Sequence, residues 1–213
     1  MCFNYKVSLF TFCIGSIFSY ILYKYGNSKY IIENEISGIF LFFISIIQLI
    51  EFLFWIDIKN RYGINKIFTI IGPLINITQP NILYLIKYLY YKPNIFTFDN
   101  LNLPIAVLNL LYFIYFLNIY FNFLSKDTLV TGVKNGHLNW GWIKYNKPYY
   151  YYLILFGINI FYLFDYKYAL TLFIITYFFL YLSVKYFNYN AGELWCFFGS
   201  FIPFIMYFVS FYI

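Results

Sequence analysis

Apolar residues run almost unbroken through seven stretches of the chain, 7–23, 36–56, 67–88, 103–124, 149–164, 168–184 and 193–213, and polar residues gather between them. A run of about 20 residues, rising about 1.5 Å per residue as a helix, crosses a hydrocarbon core of about 30 Å. The pattern predicts an all-α fold, a polytopic transmembrane helical bundle of seven spans forming one domain over residues 1–213. The fifth and sixth stretches are the shortest. Only Asp165-Tyr166-Lys167 parts them, which suits a tight antiparallel helical hairpin; as a re-entrant loop that pair would leave five full spans.

Composition supports the same solvent. The chain is 63% hydrophobic and 10% charged, against roughly 25% charged in a soluble domain. The net charge of +6 sits in the connections, so it reads as topology and headgroup contact, and nucleic acid is set aside as a partner. Cys2, Cys13 and Cys196 lack disulfide or metal spacing. Lys6 and the apolar run after it resemble a signal sequence, but Tyr23-Lys24-Tyr25 stands where a cleavage site needs small residues, so a retained first span is expected.

Orientation follows from the basic connections. Side A, facing the N-terminus, carries Lys6, Lys59, Arg61, Lys66, Lys126, Lys134, Lys144, Lys147 and Lys185; side B carries Lys24, Lys29, Lys87, Lys92 and Lys167. The excess on side A assigns it to the cytoplasm and puts the C-terminus on the opposite face.

Against this background the polar residues inside the apolar runs stand out. Gln48, Glu51 and Trp55 lie one helical turn apart on a single stripe of the second span. An intramembrane acid is expensive enough to be a functional candidate by default. The third span holds Pro73 and Pro80 on nearly one face, with Asn76, Thr78, Gln79 and Asn81 around them, so a kinked helix is expected that packs on protein or lines a wet cavity. Asn109, Asn118 and Asn122 of the fourth span are expected to bond to neighbouring helices.

The long 125–147 connection carries the single histidine in Gly136-His137-Leu138-Asn139-Trp140-Gly141-Trp142, read as a loop or short hairpin that serves as lid or interfacial anchor. The last span opens on Glu193, favoured there by the helix dipole, and Gly199-Ser200 further along would admit a close helix. Depth counted from side A puts Gln48 and Asn76 roughly 12 to 13 Å inside, in one layer, and Glu51 about 7 to 8 Å inside. The candidate polar site is therefore Gln48, Glu51, Asn76, Gln79, His137 and Glu193, with Trp55, Trp140 and Trp195 as its rim. A metal site built from Glu51, Glu193, His137 and Cys196 finds no support in the spacing, and neither metal nor cofactor is expected.

Gln48-x-x-Glu51-Phe52-x-x-Trp55, Gln79-Pro80, Gly136-His137-Leu138-x-Trp140 and Gly192-Glu193-Leu194-Trp195-Cys196 resemble stretches of uncharacterised multi-pass membrane proteins of large DNA viruses and some protists. That resemblance implies a membrane protein and brings no activity with it. The last span lacks the lysine of retinal proteins, and one histidine is too few for ceramidase-like zinc hydrolases.

The expected function is transport or sensing of a small solute, ion or proton through an intramembrane polar site, with the bilayer as the partner, and it leans away from catalysis. An intramembrane enzyme acting on a lipid is one alternative. A structural or assembly protein of a viral or organellar membrane, its polar residues serving as glue, is the other.

Overall fold

The computed structural model describes residues 4–93, 101–125, 129–134, 136–142, 149–187 and 191–213, without the side chains of 149, 187 and 191–193. The start of α1 (Tyr5–Tyr25) is capped by Asn4, whose side chain accepts the Val7 N–H at 3.0 Å. Its buried face, Ser8, Thr11, Gly15, Ser19 and Leu22, repeats every three or four residues and is made almost entirely of small side chains. After a 3₁₀ turn at Ser28–Tyr30 this face packs on α2 (Ile31–Ile56) so closely that a Cβ at Gly38 would stand 2.8 Å from the Ser19 carbonyl oxygen. Small residues are what let two helices in lipid approach without a hydrophobic driving force.

The third apolar stretch is two helices, α3 (Ile64–Ile77) and α4 (Gln79–Tyr91), bent by 60° at Thr78. Pro73 lies within α3, and the break falls beside Pro80 in the first turn of α4. Next come α5 (Asn102–Leu124) and the antiparallel hairpin β1 (Gly132–Lys134) and β2 (His137–Asn139), in register Val133↔Leu138. The hairpin turns at Gly136, whose φ of +77° favours glycine. The chain ends with α6 (Tyr149–Phe161), α7 (Tyr166–Phe187), α8 (Ala191–Gly199) and α9 (Ile202–Val209).

α1, α2 with the turn before it, α5 and α7 are each long and apolar enough to cross a membrane, and the bent α3–α4 pair makes a fifth such element. The chain is an integral, multi-pass, all-α membrane protein. The fifth and seventh apolar stretches fall on shorter helices, Tyr150–Phe161 and Leu194–Val209. The sixth is longer than its apolar run, and Asp165 caps its start by accepting the Lys167 N–H at 3.0 Å.

α6 starts short of the side-A end of α5. Tyr151 meets Tyr115 edge-on, so α6 begins roughly seven residues, about 10 Å, before α5 ends. Trp140 and Trp142, stacked at 5.0 Å, occupy the bundle beyond it, with Trp142 against Phe54 and Phe123. At 2% and 1% exposed they turn inward, the reverse of anchors at headgroup depth, because Gly72 opens a slot whose Cβ position is 2.7 Å from the Trp142 ring.

The bundle has two ends. At side A, Asn65 Nδ2 donates to the Thr131 carbonyl (2.9 Å) while Asn65 Oδ1 accepts the Thr131 N–H (2.8 Å), tying the hairpin segment to α3. At side B, Asn27 Nδ2 donates to the Ser210 carbonyl (2.7 Å), and Glu33 accepts the Asp165 N–H (3.4 Å). One assignment needs correction: Lys87 is not a side-B loop cation but is fully buried in α4.

Candidate functional site

α1, α2, α3 and α8 assemble a polar layer one turn nearer side A than their small-residue contact. At that contact Gly15 faces Ser45 and Ser200, and Gly199 faces Ile44. One turn on, Thr11 Oγ1 donates to Gln48 Oε1 at 2.8 Å, and Asn76 Nδ2 donates to Cys196 Sγ at 3.6 Å. Helical periodicity on the antiparallel α2 and α8 sets Gln48 level with Trp195 and Cys196, so Gln48 and Asn76 share a layer. Glu51, 1% exposed, follows one turn nearer side A, and Trp55 one turn beyond that, half-buried.

This layer is rich in hydrogen-bond donors. Gln48 Nε2, Trp55 Nε1 and Trp195 Nε1 are buried and make no hydrogen bond among the described residues. Burying a donor without an acceptor is unfavourable, so three such donors on neighbouring turns of α2 and α8 suit water or a small polar solute better than dry packing. The Glu193 side chain lies outside the described residues.

A second polar group forms at the α3–α4 break. Gln79, 0% exposed, accepts from the Tyr152 hydroxyl of α6. Asn159 Nδ2 donates to the Pro80 carbonyl and to Asn109 Oδ1, both at 2.9 Å, and Asn109 Nδ2 returns a bond to Asn159 Oδ1 at 3.1 Å. Asn81 Nδ2 donates to the Asn109 carbonyl (2.8 Å), and the Tyr112 hydroxyl donates to the Ile77 carbonyl freed at the break (2.9 Å). Irregular backbone at membrane depth is tolerated when its polar groups are met in this way. Of the four asparagines of α5, Asn109 reaches α4 and α6 and Asn102 accepts the Tyr162 hydroxyl just past α6 (2.9 Å), whereas Asn122 Nδ2 donates to Asn118 Oδ1 on the exposed face (3.4 Å).

Below the break, Lys87 Nζ donates to the carbonyls of Asn159 (2.6 Å), Ile160 (2.9 Å) and Tyr162 (2.6 Å), and stands 3.2 Å from the centroid of the Phe164 ring. It caps the C-terminus of α6, where carbonyls lack intrahelical partners and the dipole favours a cation. Neither Lys87 nor Asn159 was singled out from sequence. The signals were present: Lys87 repeats the face of Pro80 and Leu83, and Asn159 is the one amide in α6.

His137 sits half-buried on β2, paired in register with Lys134, and its Nδ1 makes no hydrogen bond among the described residues. Beneath the hairpin, Thr131 and Thr69 hydroxyls meet at 2.8 Å. At the same end Asp57, just past α2, accepts the N–H groups of Arg61 (2.7 Å) and Ile64 (2.9 Å) at the start of α3. Burial works to raise the Asp57 pKa, but the N–H groups of Tyr62, Asn65, Arg61 and Ile64 outweigh it and hold the carboxyl below its ordinary value.

Gln48 and Asn76 are thus brought to one level with Glu51 a turn away, whereas Gln79 belongs to the break and His137 to the side-A hairpin. The three amides part to three different helices: α1, α8 and α6. No family model matches the chain, and no curated protein and no solved structure matches it either.

Proposed function

We propose that this membrane protein moves or senses a small polar solute, an ion or a proton through the layer between α2, α3 and α8. The observation that carries this reading is the 60° break at Thr78, with the half-buried Asn76 on one side of it and the buried Gln79 on the other. Broken spans place binding groups at mid-membrane and provide a joint about which half a helix can move. In this reading Glu51 carries the charge or proton, and Gln48 and Asn76 orient the ligand. Gln79 links the break to α6, and the His137 hairpin covers the side-A mouth. Trp55, Trp140 and Trp195 line the approach, with Glu193 at the start of α8. Seven crossings, side A in the cytoplasm and kinship with the viral and protist membrane proteins complete the proposal.

Reconstituted Glu51→Gln protein tests it. Proton- or cation-coupled flux lost with the helical content intact supports the role, and unchanged flux removes it. A structural role has its own support, since Gln48, Asn76 and Gln79 each bond to another helix. That reading expects Glu51→Gln to reduce folded yield instead.

A further inference from the structure

A groove of about 440 Å³ opens sideways between α5 and α6. Its ends are pinned, by the reciprocal Asn109–Asn159 amide bonds at one end and by the Tyr115–Tyr151 ring contact at the other. Between the pins the helices do not close on each other. Leu108 and Leu111 of α5 and Ile154 of α6 form the walls, while the Tyr112 ring and the Leu155 side chain, both buried, form the floor. From Leu108 to Tyr115 the groove runs about 10 Å along α5 at the rise of a helix.

We propose that this groove is a binding site for the acyl chain of a membrane phospholipid, held as a resident lipid. The walls continue into the outward face of α5, where Leu110 is 58%, Leu111 57% and Ile114 55% exposed. On a membrane-spanning helix that face meets hydrocarbon, so the medium that reaches the groove is acyl chain, not water. Its lining is aliphatic and tyrosine, with no acid or base to act on a headgroup. The Tyr112 hydroxyl points away, donating to the Ile77 carbonyl at 2.9 Å, so the groove receives the ring and not the polar end. That same bond makes the groove floor a brace of the α3–α4 break. The brace matters for activity only if the proposed transport reading holds; the lipid site does not depend on that reading.

The test uses the full chain in dioleoyl phosphatidylcholine vesicles doped with a phosphatidylcholine that carries a diazirine in mid-chain. After irradiation, adducts are mapped by peptide mass spectrometry. Residues 108–115 and 151–158 should label severalfold more than the exposed α7 face around Ile174 and Phe178, and the difference should survive detergent extraction before irradiation. Leu111→Trp with Ile154→Trp should fill the groove and bring its labelling down to the α7 level, while Ile174→Trp leaves it unchanged. Labelling in the wild type no greater than at α7 overturns the proposal, whatever the variants do. So does a crosslinked dimer through α5 and α6, which would make a second copy the occupant.

Discussion

Lys87 brings three N–H bonds to three backbone carbonyls, and an ammonium has three to give. Replacing it with Met keeps the stem's apolar packing and removes the donors, leaving the last carbonyls of α6 unmet. An unsatisfied buried polar group costs on the order of 1–3 kcal/mol. Lys87→Met should therefore lower the thermal midpoint in detergent clearly, while Lys167→Met at the exposed start of α7 should not. Asp57 gives the pH dependence. Its folded pKa lies below the ordinary value of about 3.9, so its contribution is complete above that value and fades as pH falls through the lower, folded one. Thermal unfolding at about pH 6 and about pH 3 should show the wild type losing more stability on acidification than Asp57→Asn. An equal loss in both would mean that the N–H cluster does not hold the charged form. Rarity made Gln48 and Glu51 legible in sequence, since amides and acids are conspicuous in a lipid-compatible run. Lys87 was hidden because a lysine near the end of an apolar run looks like a loop cation. Only its partners on α6, 72 to 75 residues away, show otherwise.

Two prolines made the bend of the third span legible, but not its place. Pro73 stays inside α3, where the Tyr120 hydroxyl meets the nearby Ile70 carbonyl at 3.2 Å. At Pro80 the helix restarts, with Tyr112 on the Ile77 carbonyl and Tyr152 on Gln79 holding the new direction. The bend then belongs to the partners as much as to the ring. Pro80→Ala alone should keep it, and Pro80→Ala with Tyr112→Phe should open it, read as the distance between spin labels at the exposed positions Ile67 and Leu89. Straightening in the single variant would place the cause in Pro80 alone. The α1–α2 pair supports a graded expectation of its own. A Cβ at Gly38 would meet backbone, the Ser19 carbonyl oxygen at 2.8 Å, whereas one at Gly15 would meet side chains alone, the Ser45 hydroxyl, which can rotate at the cost of its bond to the Leu41 carbonyl, and the Ser45 and Ser200 Cβ atoms at 3.0 and 3.2 Å. Gly38→Ala should destabilise the folded protein more than Gly15→Ala, measured by thermal unfolding in the same detergent.

For the whole molecule, the number of crossings is the property that sequence left most open, and the two ends of the bundle make it testable. The N-terminal cap of α1 stands at the far end from the 26–30 turn, and that turn is bonded to the C-terminal residues through Asn27–Ser210 and Lys29–Ile213. Where these two ends lie on opposite membrane faces, the number of crossings is odd. Seven apolar stretches satisfy that, with α6 and the α8–α9 pair each reaching across despite their lengths; five full spans satisfy it too, if α6 and α7 enter and leave together. Hydropathy could not separate these cases because the fifth apolar stretch is short, which suits a crossing or a re-entrant arm alike, and the burial of Trp140 and Trp142 beside it has no local signature. With Lys87 buried, the exposed lysines of side B are Lys24, Lys29, Lys92 and Lys167, so the basic excess of side A is larger than the chain suggests on its face. With Cys2, Cys13 and Cys196 replaced, single cysteines at Tyr62 and Lys134 should react with an impermeant maleimide only from the cytoplasmic face, and one at Tyr212 only from the other. A cysteine at Tyr166, the exposed first residue of α7, then separates the two counts: reaction from the Tyr212 face fits seven crossings, and reaction from the Tyr62 face would require α6 and α7 to form a re-entrant pair. Tyr62 and Tyr212 reacting from one face would make the count even and overturn both.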